Sequence, residues 1–337
     1  MTDKKEYNKE DIQELKWDEH IRLRPGMYIG GVESSGIVNL IKGFLKEFIE
    51  DIKSEDYFFQ LIIEPAQKFK LEINSSTDIS AFKEYLKEES HFPKYFIKAT
   101  EILSAIFTLE ETKNNNSIKL TFTLDSTIFK EPVDYIELSE SLLEYAYLNK
   151  NIEILLKDNR NKYYNQNYFA FPEGIKYLYD RISKDALGKP EFQISFIGKI
   201  NDLEYQIYLG YRTDWFPTPT VATYANEIHT TCGGSLFEGI LEGLISGCRE
   251  YVKLNKLEQY KIKKKKFNNG LILIAQVRGK EFQYGGSFKE SLESKEVKKD
   301  SKKLIQSLTL KHFKNNKEIA DKFLWRFDDS QIGSGMF

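Results

Sequence analysis

Residues 22–30 read Arg22-Leu23-Arg24-Pro25-Gly26-Met27-Tyr28-Ile29-Gly30, and this stretch decides how the chain folds near its start. Proline fixes its own φ angle and glycine adopts backbone angles that other residues avoid, so Pro25-Gly26 predicts a turn. The apolar spacing of the preceding residues predicts a helix, which has to end at that turn. Local physics therefore predicts a helix, a turn and a short strand.

Length and composition indicate a folded chain of two domains. The sequence has 337 residues, of which 41% are hydrophobic and 30% charged, and its 24 Phe and 20 Tyr supply large side chains for packing. A chain of this length buries two cores, and wholesale disorder is excluded. The formal net charge is -2. Contact with nucleic acid would therefore need a local basic patch.

Cysteine usage and hydropathy indicate a cytoplasmic protein. Cys232 and Cys248 have neither metal-ligand spacing nor a disulfide framework around them, so free thiols in a reducing compartment are expected. The polar N-terminus lacks the apolar segment of a signal peptide, and no apolar run reaches the roughly 18 residues of a membrane span.

Apolar periodicity predicts alternating helices and strands. Three- and four-residue spacing predicts helices over residues 37–52, 96–109, 138–148, 174–182, 236–254 and 298–327. Alternation predicts strands over residues 58–64, 69–73, 118–124, 152–156, 192–197, 205–211 and 270–277. Gly188-Lys189-Pro190 is the best linker candidate. We therefore expect domains at 1–187, with an N-terminal arm at 1–15, and at 188–337, with a C-terminal helix.

The longer stretch Trp17–Gly30 resembles the start of the ATPase domain in the B subunits of bacterial type IIA topoisomerases, DNA gyrase and topoisomerase IV. Leu45–Asp51 is similar to the first helix of that domain. Ala225–Ser235 resembles the Gly-Gly signature that opens the family's transducer helix, and Gly270–Val277 resembles the central transducer strand. The residues that carry the structural motif are Arg24, Pro25, Gly26, Tyr28, Gly233 and Gly234.

The resemblance implies an α+β protein. Its first domain would be a GHKL (Bergerat-type) ATPase-like α/β sandwich. A transducer domain similar to domain 2 of ribosomal protein S5 would follow.

The resemblance also implies positions for nucleotide chemistry. Glu47 stands where the family places the general base that activates water against the γ-phosphate. Asp51, four residues later, replaces the family's Mg²⁺-binding Asn and is itself a possible Mg²⁺ ligand. Ser287 and Lys289 lie where the family has a Gln-Thr-Lys loop that reaches the nucleotide. Tyr7 lies on the N-terminal arm, which in the family crosses to the partner subunit. The candidate cofactor-binding residues are therefore Asp51, Ser287, Lys289 and Tyr7. The alternatives are an exposed helical Glu47 and a solvated Lys289.

The family's phosphate cradle is missing from this sequence. Between Gly43 and Gly174 there is no glycine, whereas the family wraps the phosphates in a glycine-rich lid that lets backbone N–H groups approach closely. Asp78 is a poor match for the adenine-binding Asp, because no glycine follows it. The sequence therefore predicts a pseudo-ATPase without a cofactor. ATP and Mg²⁺ would bind only if the pocket is functional.

A dense run of lysines suggests a second kind of contact. The resemblance implies a transducer that lines a cavity for DNA, so this run is a candidate for phosphate contact, and a solvated loop is the alternative. The lysines are Lys261, Lys263, Lys264, Lys265 and Lys266.

The leading functional hypothesis is a truncated relative of the topoisomerase B subunit that acts by dimerisation or by docking to topoisomerase subunits or DNA. Because the chain ends at Phe337, before the family's metal-binding cleavage domain, we expect it not to assist DNA cleavage alone. One alternative is an active ATPase with an unusual lid. The other is a DNA-binding module without a nucleotide role.

Overall fold

The computed structural model describes residues 16–87, 95–110, 112, 114–161, 165–185, 192–212, 218–287 and 289–328. The chain divides into two compact units, Met1–Pro172 and Glu173–Phe337. They are called unit 1 and unit 2 below.

Unit 1 is a sheet covered by helices. Its strands are β1 (Tyr57–Glu64), β2 (Lys68–Ser75), β3 (Ser104–Glu110), β4 (Ser117–Leu124), β5 (Ile152–Asp158) and β6 (Asn165–Ala170). Its described helices are α1 (Trp17–Leu23), α2 (Gly26–Ile29), α3 (Ser34–Ile52), α4 (Ser80–Lys87), α5 (Tyr95–Ile102) and α6 (Tyr135–Leu148). The strand order is β3-β4-β2-β1-β5-β6, with β1 and β5 parallel and the other neighbouring pairs antiparallel.

Helix α3 packs on the sheet through its apolar face. Alternate residues of β1 are buried, as expected for a strand with one face against a core. The ring of Phe48 lies 6.0 Å from that of Phe59 and 6.1 Å from that of Tyr57, edge to face in both pairs. Each buried aromatic side chain of this kind contributes about 1.5–3 kcal/mol. This packing fixes which side of α3 faces away from the sheet.

Unit 2 is a five-stranded sheet with helices on both faces. Its strands are β7 (Gln193–Ile200), β8 (Leu203–Tyr211), β9 (Thr220–Ala225), β10 (Ile228–His229) and β11 (Leu271–Arg278), in the order β10-β9-β11-β8-β7. A separate pair is formed by β12 (Tyr284–Gly285) and β13 (Ser291–Leu292). The helices are α7 (Lys176–Asp185), α8 (Ser235–Leu254), a 3₁₀ helix (Lys264–Asn268), α9 (Lys295–Asn315) and α10 (Lys317–Phe327).

Helices α8 and α9 run parallel and in close contact along a stripe of glycines. A Cβ added at Gly239 would lie 2.0 Å from Ser301 Oγ, and one added at Gly243 would lie 2.5 Å from the Lys302 carbonyl oxygen. At Gly247 the nearest atom would be Thr309 Cβ, at 2.7 Å. Larger residues would separate the helices, so the glycines make α9 a fixed part of unit 2.

Four features differ from the sequence-based expectations. The helix predicted over residues 298–327 is divided into α9 and α10, because Asn316 between them has non-helical backbone angles (φ -139°, ψ 74°). Residues 26–29 form a helical turn instead of a strand, because Pro25 adopts αR angles and accepts the N–H of Ile29. The helix predicted over residues 96–109 ends at Ile102, since the following residues pair with β4 as strand β3. The division at Pro172 lies before the predicted boundary at 187/188, because α7 packs on unit 2, where the ring of Tyr179 lies 5.7 Å from that of Tyr208.

Within the described ranges, no helix is both long enough and apolar enough to cross a membrane.

Candidate functional site

Glu47 is the centre of the candidate site. It lies on α3, one turn after Gly43 and one turn before Asp51, and its side chain is half-buried beside helix α5. Spacing of four residues places all three positions on one side of the helix. Resemblance to the topoisomerase B subunits placed the general base here.

The carboxylate of Glu47 holds the N-terminus of α5. The backbone N–H of Phe96 donates to Glu47 Oε1 at 2.8 Å and to Oε2 at 2.9 Å, and the N–H of Ile97 donates to Oε2 at 3.0 Å. The first N–H groups of a helix have no partner within the helix, and a carboxylate there also complements the helix dipole. Glu47 therefore supplies the N-cap of a helix that is remote in sequence.

The electrostatic environment of Glu47 follows from this position. Burial raises the pKa of the Glu47 carboxyl above its usual value, and the N–H donors of Phe96, Ile97 and Tyr95 act in the opposite direction. The nearby charge of Glu50 adds to the increase. Both carboxylate oxygens are engaged by backbone donors.

Gly43 allows α5 to approach α3. A Cβ at this position would lie 2.1 Å from Cγ of Phe96, inside the ring's van der Waals radius. Gly43 and Phe96 are thus complementary, and the Phe96 ring covers α3 one turn before Glu47.

The other end of α5 is held by Arg22, which belongs to the stretch Trp17–Gly30, called the signature stretch below. Nη1 of Arg22 donates to the carbonyl of Ile102 at 2.7 Å, and the guanidinium also pairs with Asp125. A cation is favourable at a helix C-terminus, where carbonyl groups lack intrahelical partners. The hydroxyl and N–H of Thr127, followed by Arg22, lower the pKa of Asp125 to about 2. Asp125 is therefore ionised at neutral pH and holds Arg22 against α5.

Aromatic residues of the signature stretch cover the start of α5. The ring of Tyr95 lies 5.3 Å from that of Tyr28 and 6.0 Å from that of Trp17. The hydroxyl of Tyr28 is hydrogen-bonded to Nδ1 of His20. Burial, followed by Tyr28 and Glu47, raises the pKa of Tyr95 to about 12. Residues of the stretch that carries the family resemblance therefore contact both ends of α5.

The remaining acidic candidates of unit 1 are exposed. Asp51 lies in the last turn of α3. Asp78 precedes α4, where its Oδ1 accepts from the N–H of Ser80 at 2.7 Å and from its hydroxyl at 2.5 Å, so it caps that helix. Within the described residues, no group of three or more His, Cys, Asp or Glu side chains is arranged to hold a metal ion.

The candidates of unit 2 lie on a loop before α9. Ser287 and Lys289 are both exposed, and Lys289 has a positive φ of 60° with its Nζ 5.5 Å from the centre of the Tyr284 ring. Tyr7 and the arm at 1–15 lie outside the described residues. Both cysteines are free thiols, Cys232 exposed and Cys248 buried.

The Gly-Gly motif positions that loop. Gly233 and Gly234 have φ values of 76° and 94°, and a Cβ on Gly234 would lie 2.4 Å from the carbonyl oxygen of Leu292. The N–H of Cys232 donates to the backbone carbonyl oxygen of Glu290 at 2.8 Å, and the N–H of Leu292 donates to that of Gly233 at 3.2 Å. Only glycine permits both the backbone angles and this close approach.

The predicted lysine run is a short loop and 3₁₀ helix, partly tied to the end of α10. The N–H of Lys261 donates to Asp328 Oδ1 at 2.8 Å, and Nζ of Lys266 donates to the Asp328 carbonyl at 2.6 Å. Lys263, Lys264 and Lys265 have exposed side chains.

The sequence suggested Glu47 as a candidate general base and gave no indication of its hydrogen bonds to α5. The N–H groups it binds are 49 and 50 residues farther along the chain, and no local pattern connects them. The one signal was Gly43 one turn before Glu47 on an amphipathic helix, since a glycine within a helix indicates close approach by another segment.

Comparisons with known proteins agree with this fold. The DNA gyrase B family model matches residues 174–331. The B subunit of DNA gyrase from Borreliella burgdorferi is 25% identical, with 87% of this chain and 54% of the relative aligned. The B subunit of DNA topoisomerase 4 from Staphylococcus aureus is 22% identical, covering 88% of this chain and 53% of that protein. The chain thus spans just over half the length of these relatives.

Solved structures give the same result. The 43K ATPase domain of Thermus thermophilus gyrase B, in complex with an aminocoumarin, superimposes with a TM-score of 0.74 at 18% identity, covering 93% of this chain and 94% of that one. The B subunit of Myxococcus xanthus DNA gyrase gives 0.71 at 18% identity, with coverages of 92% and 99%. These matches confirm the GHKL-type fold expected from the sequence. In sequence and in fold, the chain is similar to the ATPase and transducer region of the type IIA topoisomerase B subunits.

Proposed function

We propose that this protein is a gyrase-B-like pseudo-ATPase, in which helix α5 occupies the position where a nucleotide would meet Glu47. The single observation that supports the proposal is the engagement of both Glu47 oxygens by the N–H groups of Phe96 and Ile97. A general base needs a free carboxylate oxygen within hydrogen-bond reach of the attacking water. Here those oxygens serve a helix terminus.

ATP and Mg²⁺ do not fit the residues present. A triphosphate needs unpaired backbone N–H groups and space free of side chains. In this chain the N–H groups nearest Glu47 already have a carboxylate partner, and the Phe96 ring lies against Gly43. The 130 residues between Gly43 and Gly174 contain no glycine that could form a lid. We therefore assign no hydrolytic step to Glu47 or Asp51.

Function would then reside in the surfaces of the fold. The relatives are named as subunits of DNA gyrase and DNA topoisomerase 4. On that basis we assign this chain a role in dimerisation or in docking to topoisomerase subunits or DNA. The contributions of Tyr7, Ser287, Lys289 and the lysine loop to such contacts are part of this proposal.

The experiment is a titration with a non-hydrolysable ATP analogue and Mg²⁺, followed by the melting temperature. A ligand at 100 times its Kd stabilises a protein by about 2.7 kcal/mol, which is a rise of about 5–10 °C in a domain of this size. We expect no rise at millimolar analogue, while an active ATPase domain of a topoisomerase B subunit, tested in parallel, shows one. A rise comparable to that of the active domain would instead support the active-ATPase alternative.

A further inference from the structure

Strand β3 forms a free edge of the sheet in unit 1. In the strand order β3-β4-β2-β1-β5-β6 it has a neighbour on one side only among the described residues. After a register shift at its start, it pairs with β4 in regular antiparallel register from Ile106 to Glu110. We call residues 106–110 the β3 edge. A free edge presents N–H and C=O groups to any segment that can add as a further strand.

Hydrogen bonds at the two ends of β4 show which of its residues bond to which neighbour. The N–H of Ser75 donates to the carbonyl oxygen of Asn116 at 2.9 Å, and the N–H of Leu124 donates to that of Gln67 at 3.1 Å. Along an antiparallel strand, alternate residues bond to opposite neighbours. The even-numbered residues of β4 therefore bond to β2, and its odd-numbered residues bond to β3.

Phe107 and Leu109 carry the free backbone groups of the β3 edge. Thr108 lies opposite the odd-numbered Thr121, so it bonds to β4, and its hydroxyl also donates to the Thr121 carbonyl oxygen at 3.2 Å. Its neighbours Phe107 and Leu109 therefore direct their N–H and C=O groups away from the sheet. Within the described residues these groups have no partner.

The side chains of the β3 edge are largely apolar. Ile106 is 55% exposed on the sheet face opposite α3, while Phe107 and Leu109 are half-buried at the margin of the unit 1 core. The strand contains neither lysine nor proline, with which proteins protect free edges. By contrast, β6 at the opposite edge begins with three amide side chains. An added strand would cover apolar side chains on both faces of β3.

We propose that the β3 edge binds an extended, positively charged peptide segment of another protein, which adds to the six-stranded sheet as a seventh strand. Main-chain hydrogen bonds to Phe107 and Leu109 hold the segment in register. Its alternate side chains pack on Ile106 at one face and on Phe107 and Leu109 at the other.

Charge distinguishes between the possible occupants of this edge. Residues 1–172 contain 22 Lys and Arg against 30 Asp and Glu, a net charge of -8. Glu110 is exposed at the end of the edge, and Lys119 opposite it pairs with Glu72 at 3.3 Å. A second copy would place two acidic units edge to edge, whereas a basic segment is attracted to this surface.

The experiment measures binding of a fluorescein-labelled peptide, Arg-Val-Thr-Val-Thr-Val-Arg, by fluorescence anisotropy. One comparison peptide has Glu at both ends, and two others carry N-methyl groups on one or the other set of alternate amides. The test variant is Ile106→Lys, which adds a charge to the edge and keeps the backbone groups of β3. The matched control is Ile136→Lys on α6, since Ile136 is 66% exposed. Circular dichroism checks that both variants keep the wild-type fold.

We expect saturable binding that weakens at least about tenfold with Ile106→Lys and with the acidic peptide, whereas Ile136→Lys changes the Kd less than about twofold. N-methylation abolishes binding in one set of alternate amides and is tolerated in the other, because one set faces β3. Amide exchange at Phe107 and Leu109 is fast in the free protein and slows at least about tenfold with the basic peptide bound.

Absence of saturable binding up to about 1 mM peptide, equal losses in both variants, or equal effects of the two N-methylated peptides would overturn the proposal. So would a dimer of the unliganded protein in sedimentation that dissociates in Ile106→Lys, because a second copy would then occupy the edge. Binding at the β3 edge involves neither Glu47 nor a nucleotide, so the two proposals fail independently.

Discussion

Replacing Glu47 with alanine removes the acceptor for the N-terminus of α5. Three hydrogen bonds of 2.8, 2.9 and 3.0 Å are lost, and the N–H groups of Phe96 and Ile97 keep only the water that reaches a half-buried site. If Glu47 acts as a helix cap, the change destabilises unit 1. If it were a free general base, removing it would leave stability unchanged or would increase it.

The size of the effect follows from the geometry. A hydrogen bond to a charged group contributes about 1.5–3 kcal/mol, and loss of an N-cap costs about 0.5–2 kcal/mol. The three bonds share one carboxylate and their donors are partly rehydrated, so the contributions do not add. We expect a loss of about 2–3 kcal/mol, or about 4–12 °C in the melting temperature of unit 1.

Urea unfolding followed by circular dichroism measures this loss. The matched control is Glu50→Ala on the same helix, because Glu50 is exposed and its ion pair among the described residues is a 3.8 Å contact with Lys46. An exposed pair of this kind contributes about 0–1 kcal/mol. A Glu47→Ala protein as stable as the Glu50→Ala protein would refute the capping role.

Three further predictions concern neighbouring contacts. Gly43→Ala places a Cβ 2.1 Å from the Phe96 ring and should lower the free energy of unfolding in urea by about 1–3 kcal/mol. In the double variant with Phe96→Ala most of this strain should be absent. Losses that add in the double variant would contradict the contact between Gly43 and the Phe96 ring. The pKa of Asp125 is lowered to about 2, so the stability that its carboxylate contributes is complete above the unfolded pKa of about 4 and is lost as the pH falls towards about 2. The difference in unfolding free energy between wild type and Asp125→Asn should therefore disappear between these two pH values. A difference that stays constant over this range would contradict the assignment. Gly243→Ala should lower the free energy of unfolding by about 1–3 kcal/mol, because its Cβ would lie 2.5 Å from the Lys302 carbonyl oxygen. The control Ser307→Ala, at an exposed position of α9, should change that free energy by less than about 0.5 kcal/mol. Equal changes in the two variants would contradict the close contact of α8 with α9.

Much of the fold was predictable because its signals are local. Helix α3 has a continuous apolar stripe, and the strands of unit 2 alternate or run fully apolar, so period and length identified them. The match of Trp17–Gly30 to the topoisomerase B subunits supplied the overall architecture, which the structural comparisons confirm.

The contacts that hold α5 in place were not predictable, because they join residues far apart in the sequence. The partners of Glu47 are backbone N–H groups, which carry no sequence signature, and 49 residues separate them from the carboxylate. Arg22 likewise meets the carbonyl of Ile102 across 80 residues. The sequence predicts one continuous helix over residues 96–109, whereas the structure has the short helix α5 followed by strand β3.

The most direct test is amide hydrogen exchange of Phe96 and Ile97, with and without an ATP analogue and Mg²⁺. If α5 is capped by Glu47 in place of a nucleotide, both amides are protected in wild type, protection is lost in Glu47→Ala, and the ligand changes neither rate. Exchange of these amides at the rate of an unstructured peptide, or a ligand-induced change in α3 and α5 together, would contradict the account.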